Sequence, residues 1–285
     1  MWWHGRLARA NLRSASLPLA RSVFFQIGAH LRLKIMPVLR KKIFLTAEWR
    51  QLAMLNYEIA PAFLKPWLPA GTELDLLNGK TLLSVVGFRF IKTRVWRIAF
   101  PFHGDFEEVN LRFYVRRKGD DGWRRGVVFI KEIVPRAAIA FAARRFYNEN
   151  YVALPMGHKI DSHSAEYSWR FRGRQNRIKV VVQGDPQELI IGSESEFITE
   201  HYWGYSRQPD GSTMEYQVEH PRWRVRDAIE SELHSDIGGL YGEAFKDAIS
   251  GKPYSAFLAE GSPVTVYCGE RLRLQSPPEG VQSSE

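Results

Sequence analysis

The sequence predicts an α+β protein built mainly of antiparallel strands. From residue 43 onward, short alternating or wholly apolar runs follow one another between turn residues: "TLLSVVGFRF", "EVNLRFYVRR", "RGVVFIKEIV", "AEYSWRFR" and "RIKVVVQG". Two of the gaps carry hairpin chemistry. "KGDDGW" places Gly119 and Gly122 between the second and third runs, and "FRGRQNR" offers a similar turn between Phe171 and Ile178. Helical signals are few.

Taken in order, "APAFLKPWLPAG" sets Pro61 in a first helical turn and Gly71 at the stop. "RAAIAFAARRF" (136–146) combines strong helix formers with apolar residues on most sides and reads as a buried helix after the third strand. A C-terminal helix is expected over about 235–250, ended by Gly251 and Pro253. "GSPVTVYCGERLRL" then reads as a final strand and "QSPPEGVQSSE" as a frayed tail. No internal repeat or low-complexity linker divides the chain. One continuous domain over 42–275 is expected, between a basic extension over 1–41 and a tail over 276–285.

Composition and charge exclude several classes. A 285-residue chain with 45% hydrophobic residues and nine Trp is not a disordered one. The net charge of +9 invites a nucleic-acid reading, so its location matters. Of the 40 basic residues nine precede the first acid, Glu48, leaving 31 against 31 acidic residues in the remainder. The folded part is neutral, and no nucleic-acid partner is expected. The leader is Arg-rich and acid-free, which fits a disordered arm, a start misplaced upstream of Met36, an amphipathic segment with weak surface association, or organellar targeting. No run reaches the roughly 20 apolar residues of a membrane span. Cys268 alone cannot form an internal disulfide, which fits a reducing compartment, and a cytoplasmic location is expected. A homo-oligomer is compatible with the sequence.

The familiar catalytic motifs are absent, and no metal or cofactor is expected. His158 and His163 are five apart and face opposite ways in a strand, while His201, His220 and His234 are scattered. Cys268 reads as a small core residue. The stretch "FEEVNLRFYV" is more informative. As a strand it sets Glu108, Asn110, Arg112 and Tyr114 on one face and Val109, Leu111, Phe113 and Val115 on the other. A solvated face or a structural ion pair explains the polar row cheaply. If that face is buried, the acid and the guanidinium must compensate each other or a ligand, and an inward Arg is a receptor for a small carboxylate or phosphate. "ARRFYNENYVALPMGHK" adds Arg144, Arg145, Tyr147, Glu149 and Tyr151, which a polar loop also explains. "VVFIKEIV" places Lys131 and Glu132 in an apolar strand. A desolvated lysine can serve as an imine-forming nucleophile, although a lysine there more often snorkels to water.

"KIFLTAEWRQLAMLNYEI", "FEEVNLRFYV", "RRFYNENYVALPM", "FITEHYWGYS" and "VEHPRWRV" together resemble, in that order, the YqjF-like family of bacterial proteins with a domain of unknown function. The resemblance covers about residues 42–272. It implies a large closed or cone-shaped β barrel of acetoacetate-decarboxylase-like type, with a few peripheral helices around an internal cavity. On this reading Glu108, Asn110, Arg112 and Tyr114 line the cavity, with Arg145 and Tyr151 from the following segment. Decarboxylases of that fold place their lysine just after a proline. Here Pro155 is followed by Met156, whose thioether cannot form an imine, and Lys159 lies three positions on. The expected function is binding of a small organic anion, with Arg112 as anchor and Glu108 and Asn110 orienting it. A keto-acid decarboxylase-like lyase using Lys131 is the alternative, and an interaction module presenting Trp203 and Trp223 is a third.

Overall fold

The computed structural model describes residues 41–272, so the expected extension and tail lie outside the described residues except for Lys41. The strands are β1 (Ile43–Glu58), β2 (Glu73–Leu74), β3 (Leu82–Val95), β4 (Phe106–Gly119), β5 (Gly122–Val134), β6 (Tyr151–Ala153) and β7 (Met156–Ile160). They continue as β8 (Ser164–Phe171), β9 (Arg174–Val182), β10 (Trp203–Arg207), β11 (Thr213–Glu219), β12 (Val225–His234), β13 (Ser255–Tyr267) and β14 (Glu270–Arg271). The helices are short: α1 (Pro61–Leu64), α2 (Ala137–Tyr147), α3 (Glu194–Thr199), α4 (Ile237–Tyr241) and α5 (Lys246–Ile249).

Seven strands run around a closed circuit. β1 pairs with β3, β3 with β4, β4 with β5, β5 with β10, β10 with β11, β11 with β13, and β13 again with β1. Every joint is antiparallel except β5–β10. Closure removes the open edges that a sheet of this size would otherwise expose. β12 leaves the circuit from β13 and carries a second sheet through β9, β8 and β7.

Alternation then sorts side chains into two cores. One contains Ala53, Leu55, Val85, Leu111, Phe113 and Ile130 together with Tyr167, Trp169 and Ile178 of the second sheet and Leu240, Phe245 and Ile249 of the C-terminal helices. That is the outer face of the circuit. The other contains Met54, Val86, Phe88, Phe90, Tyr114, Val127, Phe257 and Ala259 with Phe197 and Ile198 of α3. This is the inside. In β1 the inward parity switches from Ala47 to Leu52 and Met54, because Gln51 adopts φ 50° and the register with β3 shifts between Arg50 and Ala53.

Both expected hairpins form, with Gly119 opposite Gly122 and Phe171 opposite Arg174. The helices differ more from expectation. α2 is peripheral rather than buried: Ala140 is enclosed, but Phe141 is 66% exposed. The segment expected as one helix over 235–250 is broken, because Gly242 sits at φ 105° between α4 and a short 3-10 turn that leads into α5. The last long strand begins at Ser255, six residues before the expected "GSPVTVY" start, and Cys268 is half-buried beyond its end. α3 has no counterpart among the expected elements, although Ser193 with Glu196 three residues on is a capping signal; the Ser193 hydroxyl accepts from Glu196 N–H at 3.2 Å. Among the described residues no helix is long and apolar enough to cross a membrane.

Candidate functional site

The polar row of β4 faces inward. Glu108 pairs with Phe88, Asn110 with Val86 and Arg112 with Ser84, so all three share the inner face with the β3 residues of the interior core. Glu108 is 3% exposed and Arg112 8%. They stand four positions apart, about 13 Å along the strand, with Asn110 between.

Glu108 accepts two hydrogen bonds, from Asn110 Nδ2 at 3.0 Å and from the Tyr151 hydroxyl at 3.2 Å, one on each oxygen. Glu132 of β5 pairs opposite Asn110 and is likewise buried. Glu149, which follows α2, accepts from the Tyr216 hydroxyl of β11 at 2.5 Å. Three carboxyls therefore gather around two phenols. Burial pushes Glu108 up to about 7, against the pull of Asn110, Tyr151 and the Arg112 charge. It pushes Glu149 up to about 8, opposed by the Tyr216 hydrogen bond and helped by Glu108. Glu132 is raised well above the carboxylate range by burial and by the charges of Glu149 and Glu108. The same burial lifts the phenols of Tyr151 and Tyr216.

Among the described residues Arg112 is the cation drawn to Glu108, and it is left open. Among the described residues no carboxylate comes within ion-pair distance of it, its Nε is shut from solvent without a hydrogen-bond partner, and its nearest aromatic contact is the Tyr114 ring at 5.8 Å. Asn110 Oδ1, Glu132 Oε2 and His201 Nδ1 are also buried and unpartnered. Buried polar groups are nearly always satisfied, so four such atoms in one interior define a demand for complementary groups.

At the Tyr114 end, a second network closes the circuit. The Tyr114 hydroxyl lies 2.6 Å from Ser84 Oγ, which donates to Asn56 Oδ1 at 2.6 Å; Asn56 Nδ2 in turn donates to Ser255 Oγ at 2.9 Å. His201 packs on Tyr114 and Phe197 and shares Asp75 with Arg125. Burial, together with the Arg125 and Arg112 charges, holds His201 down at about 4 despite Asp75. His220, stacked on Trp223 with centroids 4.2 Å apart, is lowered to about 4 by burial and by the Arg112 charge. It lines a shallow surface depression with Tyr202, Glu219, Pro221, Pro263 and Thr265. A larger groove of about 650 Å³ runs along β12, α4 and α5 and touches none of the β4 row.

Of the residues singled out from sequence, Glu108, Asn110, Arg112, Tyr114 and Tyr151 come together. Arg145 does not. The helical phase of α2 leaves it exposed in the last turn, where a cation suits the helix C-terminus. Lys131 pairs with Leu111 of the outer core, because a bulge at Ile130 turns it away from Glu132. Its amine is lowered by burial but lies across the sheet from the carboxyls. Met156 also packs on the outer core, and Lys159 is exposed. Trp223 is 3% exposed, with its Nε1 donating to Ser262, and Trp203 is half-buried under Lys41 and Arg124. The exposed aromatics of the β3–β4 connection are Trp96, Phe100 and Phe102. Sequence reasoning missed Glu132, Tyr216, His201 and Ser84 as site residues. Only Glu132 carried a signal, as an acid inside an apolar strand.

Comparison with known proteins agrees with this architecture. Acetoacetate decarboxylase from Legionella pneumophila superposes with a TM-score of 0.57 at 15% identity, over 81% of this chain and 88% of that one. The enduracididine biosynthesis enzyme MppR, in complex with pyruvate, gives 0.59 at 10% identity over 84% and 93%. An acetoacetate decarboxylase-like enzyme from Sphingomonas wittichii RW1 gives 0.58 at 13% identity over 81% and 94%. At these identities the likeness shows the fold. The uncharacterised protein YqjF of Bacillus subtilis (strain 168) is 24% identical over 120 residues, which are 42% of this chain and 48% of that protein, so the match spans about half of that relative. Residues 46–263 match the model of a family described as an uncharacterised conserved protein, DUF2071. The chain belongs to the DUF2071 family, and it carries an acetoacetate-decarboxylase-like fold.

Proposed function

We propose that this protein binds a small organic anion inside the strand circuit, with its carboxylate on Arg112. The observation that carries the reading is the buried guanidinium whose Nε has no hydrogen-bond partner and which forms no close ion pair among the described residues. A lone buried charge is costly, and a carboxylate satisfies a guanidinium fork with two parallel hydrogen bonds. A fold neighbour described with pyruvate, itself a small carboxylate, is consistent with an acid of this size.

The test is a thermal-shift panel of short carboxylic acids on the full chain and on Arg112→Met, with circular dichroism to confirm folding. Stabilisation in the parent that is lost in the variant supports the reading. A shift that survives the substitution removes Arg112 as anchor, and no shift with any acid removes the reading itself.

A second reading is that the bound acid is also transformed. It is favoured by Glu108, which titrates near neutrality beside Tyr151 as a general acid or base would. The chemistry on this reading is proton transfer without an imine, since Lys131 lies on the outer face. Borohydride trapping with 2-oxo acids checks the point: a covalent adduct on Lys131 would overturn it.

A further inference from the structure

We propose that the interior takes up a monocarboxylate together with one proton, the proton landing on Glu108, so that the ligand replaces Glu108 as the counter-charge of Arg112. This rests on the anion reading above. Among the described residues, the space around Glu108 holds one guanidinium, Arg112, and three carboxyls, Glu108, Glu132 and Glu149, all buried, while the buried Asp75 at the Tyr114 end is already paired with Arg125. Such a space tolerates little net charge, so above about pH 7 one carboxyl of the empty state is ionised against Arg112.

The hydrogen bonds identify which. Both oxygens of Glu108 accept, from Asn110 and from Tyr151, which is the pattern of a carboxylate rather than an acid. Glu132 Oε2 has no partner, and Glu149 is met by Tyr216 alone among the described residues. Of the three, Glu108 alone is drawn toward its ionised form by Arg112.

An anion arriving at Arg112 makes the interior one charge too negative. Glu108 relieves this by binding a proton. The groups facing Glu108 permit it: on its own strand Asn110 and Arg112, from β5 Glu132, from the segment after α2 Glu149 and Tyr151, and from β11 Tyr216. Once protonated, Glu108 donates to the Tyr151 oxygen, and the Tyr151 hydroxyl turns to the open Glu132 Oε2. No donor is lost and one orphaned acceptor is filled. Protonated Glu132 keeps a hydroxyl to donate, so the rest of the ligand should offer acceptors such as hydroxyl or carbonyl oxygens.

Calorimetry with acetate, butyrate, lactate and pyruvate, run at pH 8 in triethanolamine and in Tris, counts protons directly, because the apparent heat differs by the buffer's ionisation heat per proton taken up. Close to one proton per bound anion is expected, with affinity falling about tenfold per pH unit between pH 7.5 and 9. In Glu108→Gln, a neutral isostere of the protonated acid, uptake should vanish and affinity should become flat with pH. Binding without proton uptake in the unmodified chain overturns the inference while leaving the anion site intact, as does a pH slope that persists in Glu108→Gln. Absence of binding by every acid, from pH 5.5 to 8, overturns both.

Discussion

Gly204 and Tyr216 stand opposite each other in the β10–β11 ladder, and the missing side chain on one is what admits the ring of the other. A Cβ at 204 would run into the Tyr216 ring and its hydroxyl. That hydroxyl donates to Glu149 at 2.5 Å, so the glycine indirectly sets one carboxyl of the interior. Gly204→Ala should therefore destabilise by about 1–3 kcal/mol through overpacking. Tyr216→Phe should remove the hydrogen bond alone, about 1 kcal/mol. Denaturation midpoints decide it, and an alanine variant as stable as the parent would contradict the placement of Tyr216.

Stability should fall as pH rises from 6.5 to 8. Burial raises Glu108 to about 7 and Glu149 to about 8 in the folded chain, and Glu132 well above the carboxylate range. The unfolded chain releases these protons near 4.3. The contribution of a raised carboxyl is complete below that value and is lost as pH climbs through the folded one. His201 and His220, both held at about 4, act in the opposite sense, losing their contribution as pH falls from 6.5 toward 4. The two trends oppose each other in acid. Above 6.5 the unfolded imidazoles lose their remaining protons and the carboxyls dominate, each by about 1.4 kcal/mol per pH unit up to its folded value. Melting temperatures at constant ionic strength should show the decline, and Glu149→Gln should reduce its slope. A flat profile would mean the carboxyls are ionised or hydrated.

Arg112→Met should stabilise the ligand-free protein at pH 6 by about 1–3 kcal/mol. The methionine fills similar volume without a charge, and apolar replacement of an uncompensated buried ion is favourable. At pH 6 Glu108 is already protonated, so its counter-charge is not missed. At pH 8 the gain should shrink, because an ionised Glu108 would then lack the charge of Arg112. A variant less stable than the parent at both pH values would assign Arg112 a structural role instead.

The polar row of β4 is legible in the sequence because alternation in a strand is a strict period. Four apolar residues on one face force Glu108, Asn110, Arg112 and Tyr114 onto the other. What the sequence does not carry is the company they keep. Whether Lys131 or Glu132 turns inward depends on one bulged residue, Ile130, which no local pattern announces. Arg145 and Glu149 lie in the same polar stretch, and only the phase and end of α2 decide that the acid enters and the guanidinium does not. Tyr216 and His201 arrive from more than 80 residues away through ring closure, a property of the whole sheet.

Asp75 supplies the last prediction. It is buried, accepts from Arg125 Nε at 2.7 Å and meets His201 Nε2 at 3.1 Å. Burial alone would raise its carboxyl, but those two hydrogen bonds outweigh it and hold the group below its ordinary range. Because His201 is neutral above about 4, Nε2 carries the proton given to Asp75 and Nδ1 is left as a buried acceptor. Asp75→Ala strands both donors. Its cost should be about 2–4 kcal/mol, below the usual figure for a broken buried pair because Arg125 is a third exposed. Asp75→Asn should cost less, since the amide oxygen still accepts from one donor, but it frees His201 to exchange tautomers. Nitrogen chemical shifts of His201 report the tautomer directly: a single Nε2–H form in the parent and a mixture in Asp75→Asn is the expected result, and an Nδ1–H form in the parent would refute the assignment.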